Sequence, residues 1–315
     1  MITANNLKNH LIDTHTHCGG MDLSNYYKNR YPSSQDILDL NKKRILAGVD
    51  YQIVFSMPTS IYYDIPEYWC NGLFRTSGYA EYPFQLENLY LLSQIAWFNL
   101  HNLLPFLSFS LRDKITQQEQ SIMQMSEQHQ IFGLKYHSKV DQMSPLSLVN
   151  ESSFIDIALQ LNIPIVFHTE NKHFSYAMDV LELAATYPNT RFCAAHFGGF
   201  SKQFLNELEL YPYNNIYVDT SPLLPRCEKL KSNCPTELIR LDYSNPLSVL
   251  RYFFDRYPSR MLWGTDEPWT YYGSLEKAGQ CPDLLEFGYL KEARIIQSSG
   301  LQQQATDNTI KYLFG

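Results

Sequence analysis

The stretch Leu11-Ile12-Asp13-Thr14-His15-Thr16-His17-Cys18-Gly19-Gly20 is the part of the sequence from which the fold can be worked out. Its apolar start and its Gly-Gly end predict a short buried strand that runs into a turn. Residues two apart on a strand share a face, so His15 and His17 point the same way, with Asp13 one step deeper. Two neighbouring imidazoles make half of a metal site, although an isolated His-x-His also occurs in cores and loops that bind nothing.

Further short apolar runs follow this stretch and alternate with segments of helical periodicity. We predict the later strands at residues 52–57, 103–110, 131–137, 163–168, 191–196, 216–219 and 260–266. Helices are predicted at residues 34–47, 85–102, 116–129, 151–161, 174–187, 202–211, 247–257 and 308–314. Eight strands that alternate with helices predict an α/β protein with a (β/α)8 TIM barrel, a single domain over residues 1–315.

Two long segments interrupt this rhythm and are expected to lie as loops over the C-terminal face of the barrel. Residues 58–83 are rich in Tyr and Trp, and residues 227–241 are predicted to be irregular. Long loops in compact domains are often functional, so the first segment is interpreted as a lid over the barrel mouth. Packing against the barrel or a dimer surface are the alternatives for its aromatic residues.

Charge and composition exclude several classes of partner. The chain has 315 residues, a net charge of −7 and no run of Lys or Arg, so neither nucleic acid nor an anionic membrane is an expected partner. Its six cysteines are irregularly spaced without a Cys-x-x-Cys pair, which favours reduced thiols. With no signal peptide and no apolar run of membrane-spanning length, the protein is expected to be cytoplasmic.

Polar side chains concentrate at the carboxyl ends of the predicted strands, where barrel enzymes carry their chemistry. These residues are His15, His17, Lys135, His137, His168, His196 and Asp266. Five of the nine histidines are therefore at strand ends, whereas chance would scatter them over helices and loops. Imidazoles and a carboxylate suit Zn²⁺, with Mn²⁺ or Fe²⁺ as alternatives. For Lys135 and His137 a structural role, such as an ion pair of the lysine with Glu170 or Asp266, is an equal alternative.

Five motifs in order resemble the amidohydrolase superfamily, and most closely its branch with aminocarboxymuconate-semialdehyde decarboxylase and related metal-dependent hydrolases. They are Ile12-Asp13-Thr14-His15-Thr16-His17, Gly133-Leu134-Lys135-Tyr136-His137, Val166-Phe167-His168, Ala195-His196-Phe197-Gly198-Gly199 and Leu262-Trp263-Gly264-Thr265-Asp266-Glu267-Pro268-Trp269. The C-terminal segment, residues 308–315, is also similar to the usual ending of that branch.

The resemblance implies a role for each matching residue. It implies that His15, His17, His168 and Asp266 bind the metal, and that Asp266 also takes a proton from the bound water. His196 would polarise the substrate or assist proton transfer, or bind a second ion. Lys135 matches the position at which some two-metal members carry a carboxylated lysine, but one ion rather than two is expected because this branch usually works with one. Lys135, His137 and His196 are the candidates for a second metal or a substrate contact.

The function predicted from these features is metal-dependent hydrolysis of a C–N or C–O bond in a small molecule, by a metal-activated water. Non-hydrolytic decarboxylation of a small carboxylic acid is the first alternative, because it uses the same ligands. A non-catalytic metal-binding barrel is the second. Arg75, in the first long segment, and Arg226, at the start of the second, are candidates to bind a substrate carboxylate, with a solvated surface charge as the favoured alternative. A homodimer is compatible with the family but is not indicated by any motif.

Overall fold

The computed structural model describes residues 1–19, 35–64, 67–68, 71–150, 153–270 and 282–315, with only the backbone described for 282–287. The first residue of the predicted helix 34–47 and the first two of the predicted helix 151–161 lie outside these ranges. No helix among the described residues is long and apolar enough to cross a membrane. The cysteines of these ranges, Cys18, Cys193, Cys227 and Cys234, are free thiols.

Eight parallel strands form one sheet in which each strand pairs with the next along the chain. The strands are β1 Ile12–Cys18, β2 Tyr51–Ser56, β3 Leu103–Phe109, β4 Gly133–Tyr136, β5 Ile165–Phe167, β6 Phe192–Ala194, β7 Ile216–Asp219 and β8 Met261–Leu262. The predicted single-domain (β/α)8 TIM barrel is confirmed. Several strands are shorter than predicted at one or both ends, and the polar residues that follow β4, β5, β6 and β8 lie at the mouth beyond the ladder.

Helices on the outside of the sheet connect these strands. They are α1 Ile37–Leu46, α2 Gln85–Trp97, α3 Ile115–Gln128, α4 Ser153–Leu161, α5 Ala177–Thr186, α6 Lys202–Leu210, α7 Leu223–Ser232, α8 Pro246–Arg256, α9 Pro282–Ser299 and α10 Gln302–Phe314. Helix α1 begins after Asp36, whose carboxylate accepts hydrogen bonds from the backbone of Leu38 and Asp39. An Asp at this position satisfies free N–H groups of the first turn.

Helix α7 is the main error of the sequence prediction, which had residues 227–241 as irregular. The helix begins after Pro222 and contains Pro225 in its first turn, where proline is tolerated because those N–H groups have no intrahelical partner. Leu223, Cys227 and Leu230 lie four and three residues apart and are all buried. This helical spacing was visible in the sequence, but the prolines and polar residues around it obscured it.

The inside of the barrel is filled by alternate residues of the strands. Ile53 and Phe55 of β2 and Leu104 and Phe106 of β3 belong to one fully buried cluster. Gly133 at the start of β4 makes room for this filling, since a Cβ there would lie 2.2 Å from the Phe106 ring. Below the mouth the barrel is therefore a packed core, and ligands can enter only at its open end.

The barrel closes where the chain after β8 meets β1. Thr14 donates from its backbone nitrogen to the carbonyl of Trp263 (2.9 Å), and His17 donates to that of Glu267 (2.7 Å). Between them the backbone N–H of Asp266 donates to the carbonyl of His15 (2.8 Å). These bonds tie the predicted metal residues of the first and last strands to each other through the backbone.

The described residues of the aromatic segment 58–83 are largely irregular, as predicted, and pack onto the barrel. Tyr62, Tyr63 and Tyr68 are buried, whereas Tyr79 is exposed. The hydroxyl of Tyr68 donates to the carbonyl of Val140 (2.9 Å), which places its ring at the cavity of the barrel mouth. Most of these tyrosines therefore pack, and Tyr68 is the described one that reaches the mouth.

Gly264→Ala is expected to destabilise the protein and displace His15. A Cβ at position 264 would lie 2.8 Å from the Cβ of His15 and 3.1 Å from Oγ1 of Thr14. Overpacking of this kind typically costs about 1–3 kcal/mol, which urea unfolding would measure.

Gly300→Ala is the control, because its Cβ would meet nothing within 4 Å although its φ is +80°. The Gly300→Ala protein should have a lower free energy of unfolding, because its backbone is strained, but it should take up metal as the unchanged protein does. Equal metal uptake by the Gly264→Ala protein and the unchanged protein would contradict the predicted displacement.

Candidate active site

His15 and His17 lie at the end of β1, and each has its outer ring nitrogen held by an acceptor. Nδ1 of His17 is 2.8 Å from the carbonyl oxygen of Ser56, and Nδ1 of His15 is 2.8 Å from a carboxylate oxygen of Asp219. An acceptor at Nδ1 requires the proton of the neutral ring to be there. The Nε2 atom of each ring therefore carries a free lone pair, and the two Nε2 atoms lie 3.3 Å apart.

Asp266 adds a carboxylate to this pair. Its Oδ1 is 3.4 Å from Nε2 of His15 and 3.6 Å from Nε2 of His17. Asp266 has a left-handed backbone with φ of 61°, which is uncommon for a residue other than glycine. This conformation follows the close approach of the chain to β1, and it turns the carboxylate over the two imidazoles.

The three atoms fit a divalent cation. With Asp266 ionised, two lone pairs and a carboxylate oxygen at 3.3–3.6 Å have no proton to share with one another, so a positive charge must stabilise them. The Lys135 ammonium, 3.3 Å from Nε2 of His15, is one such charge, and a bound cation would be another. Nitrogen and oxygen ligands of a tetrahedral zinc ion, at about 2.0–2.2 Å from the metal, lie about 3.3–3.6 Å from one another. The observed spacing of the His15, His17 and Asp266 atoms is thus that of adjacent metal ligands.

Burial keeps these imidazoles neutral, as metal ligation requires. Desolvation, together with the positive charge of Lys135, lowers the pKa of His17 to about 3. The same two causes lower the pKa of His15 well below its usual value. Burial has the opposite effect on Asp266 and raises the pKa of its carboxyl, while the charges of Lys135 and Arg226 oppose this rise.

His196 and His168 form a second pair beside the first. The Nδ1 atom of His196 is 2.8 Å from the carbonyl oxygen of Ser221, so the lone pair of the neutral ring is on Nε2. This Nε2 atom lies 2.9 Å from Nδ1 of His168. The His196 ring also contacts the first pair, because its centroid is 4.9 Å from that of the His15 ring. Among described residues, two groups have all their ligand atoms within 4.8 Å of one another. One is His15, His17 and Asp266, the other is His15, His196 and Asp219, and neither contains His168.

Lys135 and His137 lie at the end of β4 and make different contacts. The Lys135 ammonium is 3.3 Å from Nε2 of His15 and 4.6 Å from the centroid of the Phe55 ring. Burial lowers its pKa, which favours the neutral amine that carboxylation would need. His137 accepts a hydrogen bond from the backbone of Val140 and stacks on His168 with ring centroids 4.0 Å apart.

Asp219, which the sequence analysis did not select, organises the site. It is fully buried at the end of β7, and it accepts hydrogen bonds from the His15 ring and from the backbone nitrogen of His196 (2.9 Å). It also accepts from the hydroxyl of Ser221 (2.6 Å). Its oxygens are occupied by donors, so it supports ligands rather than being one. Its place at a strand end was the signal that could have revealed it.

A cavity of about 450 Å³ opens above these residues at the barrel mouth. Its walls include His17, His168, His196 and Asp266 from the site and three cations, Lys139, Arg226 and Lys229. Arg226 on helix α7 faces this cavity, whereas the Arg75 side chain is 67% exposed and lies 3.9 Å from Glu67. Arg75 is therefore a solvated surface charge, whereas Arg226 is placed to contact a molecule in the cavity.

Comparison with known folds places this geometry in context. A probable 2-pyrone-4,6-dicarboxylic acid hydrolase from Acinetobacter baumannii, with citric acid bound, superimposes with a TM-score of 0.60 at 13% identity, over 97% of this chain and 99% of the other. A 5-carboxyvanillate decarboxylase from Sphingomonas paucimobilis superimposes with a TM-score of 0.62 at 10% identity, over 96% and 98%. The enzyme of the same description from Novosphingobium aromaticivorans, with manganese and 4-hydroxy-3-methoxy-5-nitrobenzoic acid, gives 0.62 at 11% identity, over 99% and 97%.

These identities show a shared fold, which hydrolases and decarboxylases both use. No curated protein matches the chain. The sequence model of the family described as Amidohydrolase matches residues 110–284, more than half of the chain. That match includes the motifs around Lys135, His168, His196 and Asp266, and it confirms the resemblance noted in the sequence. The chain belongs to the amidohydrolase family.

Proposed function

We propose that the protein is a metal-dependent hydrolase that acts on a C–N or C–O bond of a small molecule bearing a carboxylate. The observation that carries this proposal is the convergence of the His15 and His17 lone pairs and the Asp266 carboxylate at 3.3–3.6 Å. His15, His17, His168 and Asp266 are the proposed ligands of one ion. Bound there, Zn²⁺, Mn²⁺ or Fe²⁺ would act as a Lewis acid and make water nucleophilic near neutral pH.

The chain's own groups divide the remaining work. Asp266 lines the cavity with its side chain 14% exposed, so its free oxygen can accept a proton from a reacting group. His196 presents a lone pair at Nε2, because its Nδ1 proton is held by the Ser221 carbonyl. This suits a proton acceptor or a ligand of a second ion. Donation from Nε2 requires a protonated ring, which burial disfavours by lowering the pKa of His196.

The substrate class follows from the charges of the cavity wall. Arg226, Lys139 and Lys229 surround the opening, while Glu170 is paired with Lys139. A guanidinium facing a cavity is suited to bidentate binding of a carboxylate. The solved structures of this fold carry citric acid or a nitrobenzoic acid, and their names refer to carboxylic acids.

Decarboxylation is the second candidate, favoured by the two 5-carboxyvanillate decarboxylases that share the fold. It needs the same ligands and the same carboxylate contact. A screen of lactones, esters and amides against aromatic carboxylic acids distinguishes the two reactions. A non-catalytic metal-binding barrel would turn over neither set.

Metal removal should abolish activity. Protein purified with its native metal should contain about one equivalent by elemental analysis, and dialysis against a chelator followed by Zn²⁺ or Mn²⁺ should remove and restore turnover. Two equivalents, with a carbamate on Lys135 in the mass spectrum, would support the two-metal version. Activity that survives complete removal of metal would contradict the proposal.

Asp266→Asn should lower kcat by about 10²–10⁴-fold, because an amide cannot accept the proton. The fold and most of the metal should remain, as circular dichroism and elemental analysis would show. Asp255→Asn, at an exposed position on α8, is the matched control and should keep full activity. Full activity of the Asp266→Asn enzyme would show that the base is another group.

Arg226→Met should raise KM for a carboxylate substrate by about 10–100-fold, since a charge-assisted hydrogen bond is typically worth 1.5–3 kcal/mol. The same substrate with the carboxylate converted to a methyl ester should lose this difference. Arg75→Met removes a surface guanidinium and should leave KM unchanged. An equal KM for the Arg226→Met and unchanged enzymes would place the carboxylate elsewhere.

A further inference from the structure

Glu170, two residues after His168, has a side chain aimed at the ring of that histidine. Its Oε1 lies 3.4 Å from Nε2 of His168 and 3.1 Å from Nζ of Lys139. Its other oxygen is 3.8 Å from Nζ of Lys172. The side chain is 14% exposed and lines the cavity. The two lysines hold the carboxylate from the solvent side, and the histidine is its neighbour on the inner side.

The loop that carries Glu170 is packed against the turn that carries His196. Gly199 has φ of +67°, and a Cβ there would lie 2.7 Å from the backbone of both Glu170 and Asn171. The hydroxyl of Thr169 also donates to the carbonyl of Ala195. A glycine without a side chain is what permits this approach. The contact of Glu170 with His168 is therefore built into the backbone of two neighbouring loops.

The ring protons of the His196–His168 pair can be counted. His196 carries its proton on Nδ1, which faces the Ser221 carbonyl at 2.8 Å, and so presents a lone pair to Nδ1 of His168 at 2.9 Å. A neutral His168 has one proton for two nitrogens. It can place that proton on Nδ1, facing His196, or on Nε2, facing Glu170.

Each tautomer of His168 leaves one unfavourable contact without a cation. With the proton on Nδ1, the buried Nε2 atom has no hydrogen-bond partner among the described residues and faces the Glu170 carboxylate as one acceptor against another. With the proton on Nε2, Glu170 is an acceptor 3.4 Å away, although this contact is not a hydrogen bond in this structure, and two lone pairs face each other at 2.9 Å. Binding of a cation at Nδ1 of His168 removes the second conflict and not the first.

We propose that Glu170 is a positioning residue that holds the Nε2 proton of His168 and so turns its Nδ1 lone pair towards the metal site. This inference rests on the proposed function, because it concerns how the chain prepares a metal ligand. Carboxylates that accept the second ring proton of a ligating histidine commonly strengthen metal binding in this way. No motif singled out Glu170 for this role, which only its contact with His168 reveals.

The test compares Glu170→Gln and Glu170→Ala with Lys172→Ala. Zn²⁺ affinity is measured by competition with a chromophoric chelator. Glu170→Ala should bind Zn²⁺ about 10–100-fold more weakly, and Glu170→Gln, whose amide oxygen is a neutral and weaker acceptor, should lie between it and the unchanged protein. Lys172→Ala removes a distant, 65% exposed partner of the same carboxylate and should stay within about twofold of the unchanged protein. The nearly isosteric Gln variant guards against misfolding, which circular dichroism would detect.

Nitrogen-15 NMR of histidine-labelled, metal-free protein gives a second readout that a merely structural role would not change. The His168 signals are identified with a His168→Gln variant. The fraction of His168 with its proton on Nε2 should fall in both Glu170 variants and not in Lys172→Ala.

The outcomes separate the two proposals. Unchanged Zn²⁺ affinity and an unchanged tautomer in the Glu170 variants would overturn this inference and leave the proposed function standing. Equal weakening by Lys172→Ala would also overturn it, since the effect would then be one of general charge. Protein that takes up none of Zn²⁺, Mn²⁺ and Fe²⁺ before any substitution would overturn the proposed function, and this inference with it.

Discussion

The rest of the site depends on one constraint: His15, His17 and His196 each donate their single ring proton to an acceptor outside the site. Ser56, Asp219 and Ser221 supply the acceptors for His17, His15 and His196, each at 2.8 Å. A neutral imidazole has one proton, so an acceptor on the outer nitrogen leaves a lone pair on the inner one. The barrel therefore orients these ligands with ordinary hydrogen bonds, and burial ensures that the rings remain neutral.

Keeping this arrangement has a cost in backbone conformation. His196 and Asp266 have φ values of 60° and 61°, and left-handed conformations of non-glycine residues cost about 1–3 kcal/mol each. The hydrogen bonds that close the barrel between β8 and β1 hold Asp266, and the hydrogen bond that the His196 backbone nitrogen donates to Asp219 holds the turn of His196. Strain and its compensation thus occur at the same strand ends.

Sequence reasoning succeeded where the relevant signal was local. The alternation of strands and helices predicted the barrel, and strand ends identified His15, His17 and Asp266, which the structure brings together. It failed for α7, whose prolines obscured a helical spacing, and it passed over Asp219 although that residue ends β7. It named Glu170 only as a partner for Lys135, because the contact of Glu170 with His168 becomes visible only in the tertiary structure.

The sequence by itself determined the order of the elements and the residue types at the strand ends, because hydrophobic periodicity and strand parity are set by near neighbours in the chain. Only the tertiary structure decided which nitrogen of each ring faces inward and that Arg226 rather than Arg75 reaches the cavity. The partners that decide these points are distant, as with His15 and Asp219, which are 204 residues apart. Closure of the barrel brings them together, and no local pattern records which of them will meet.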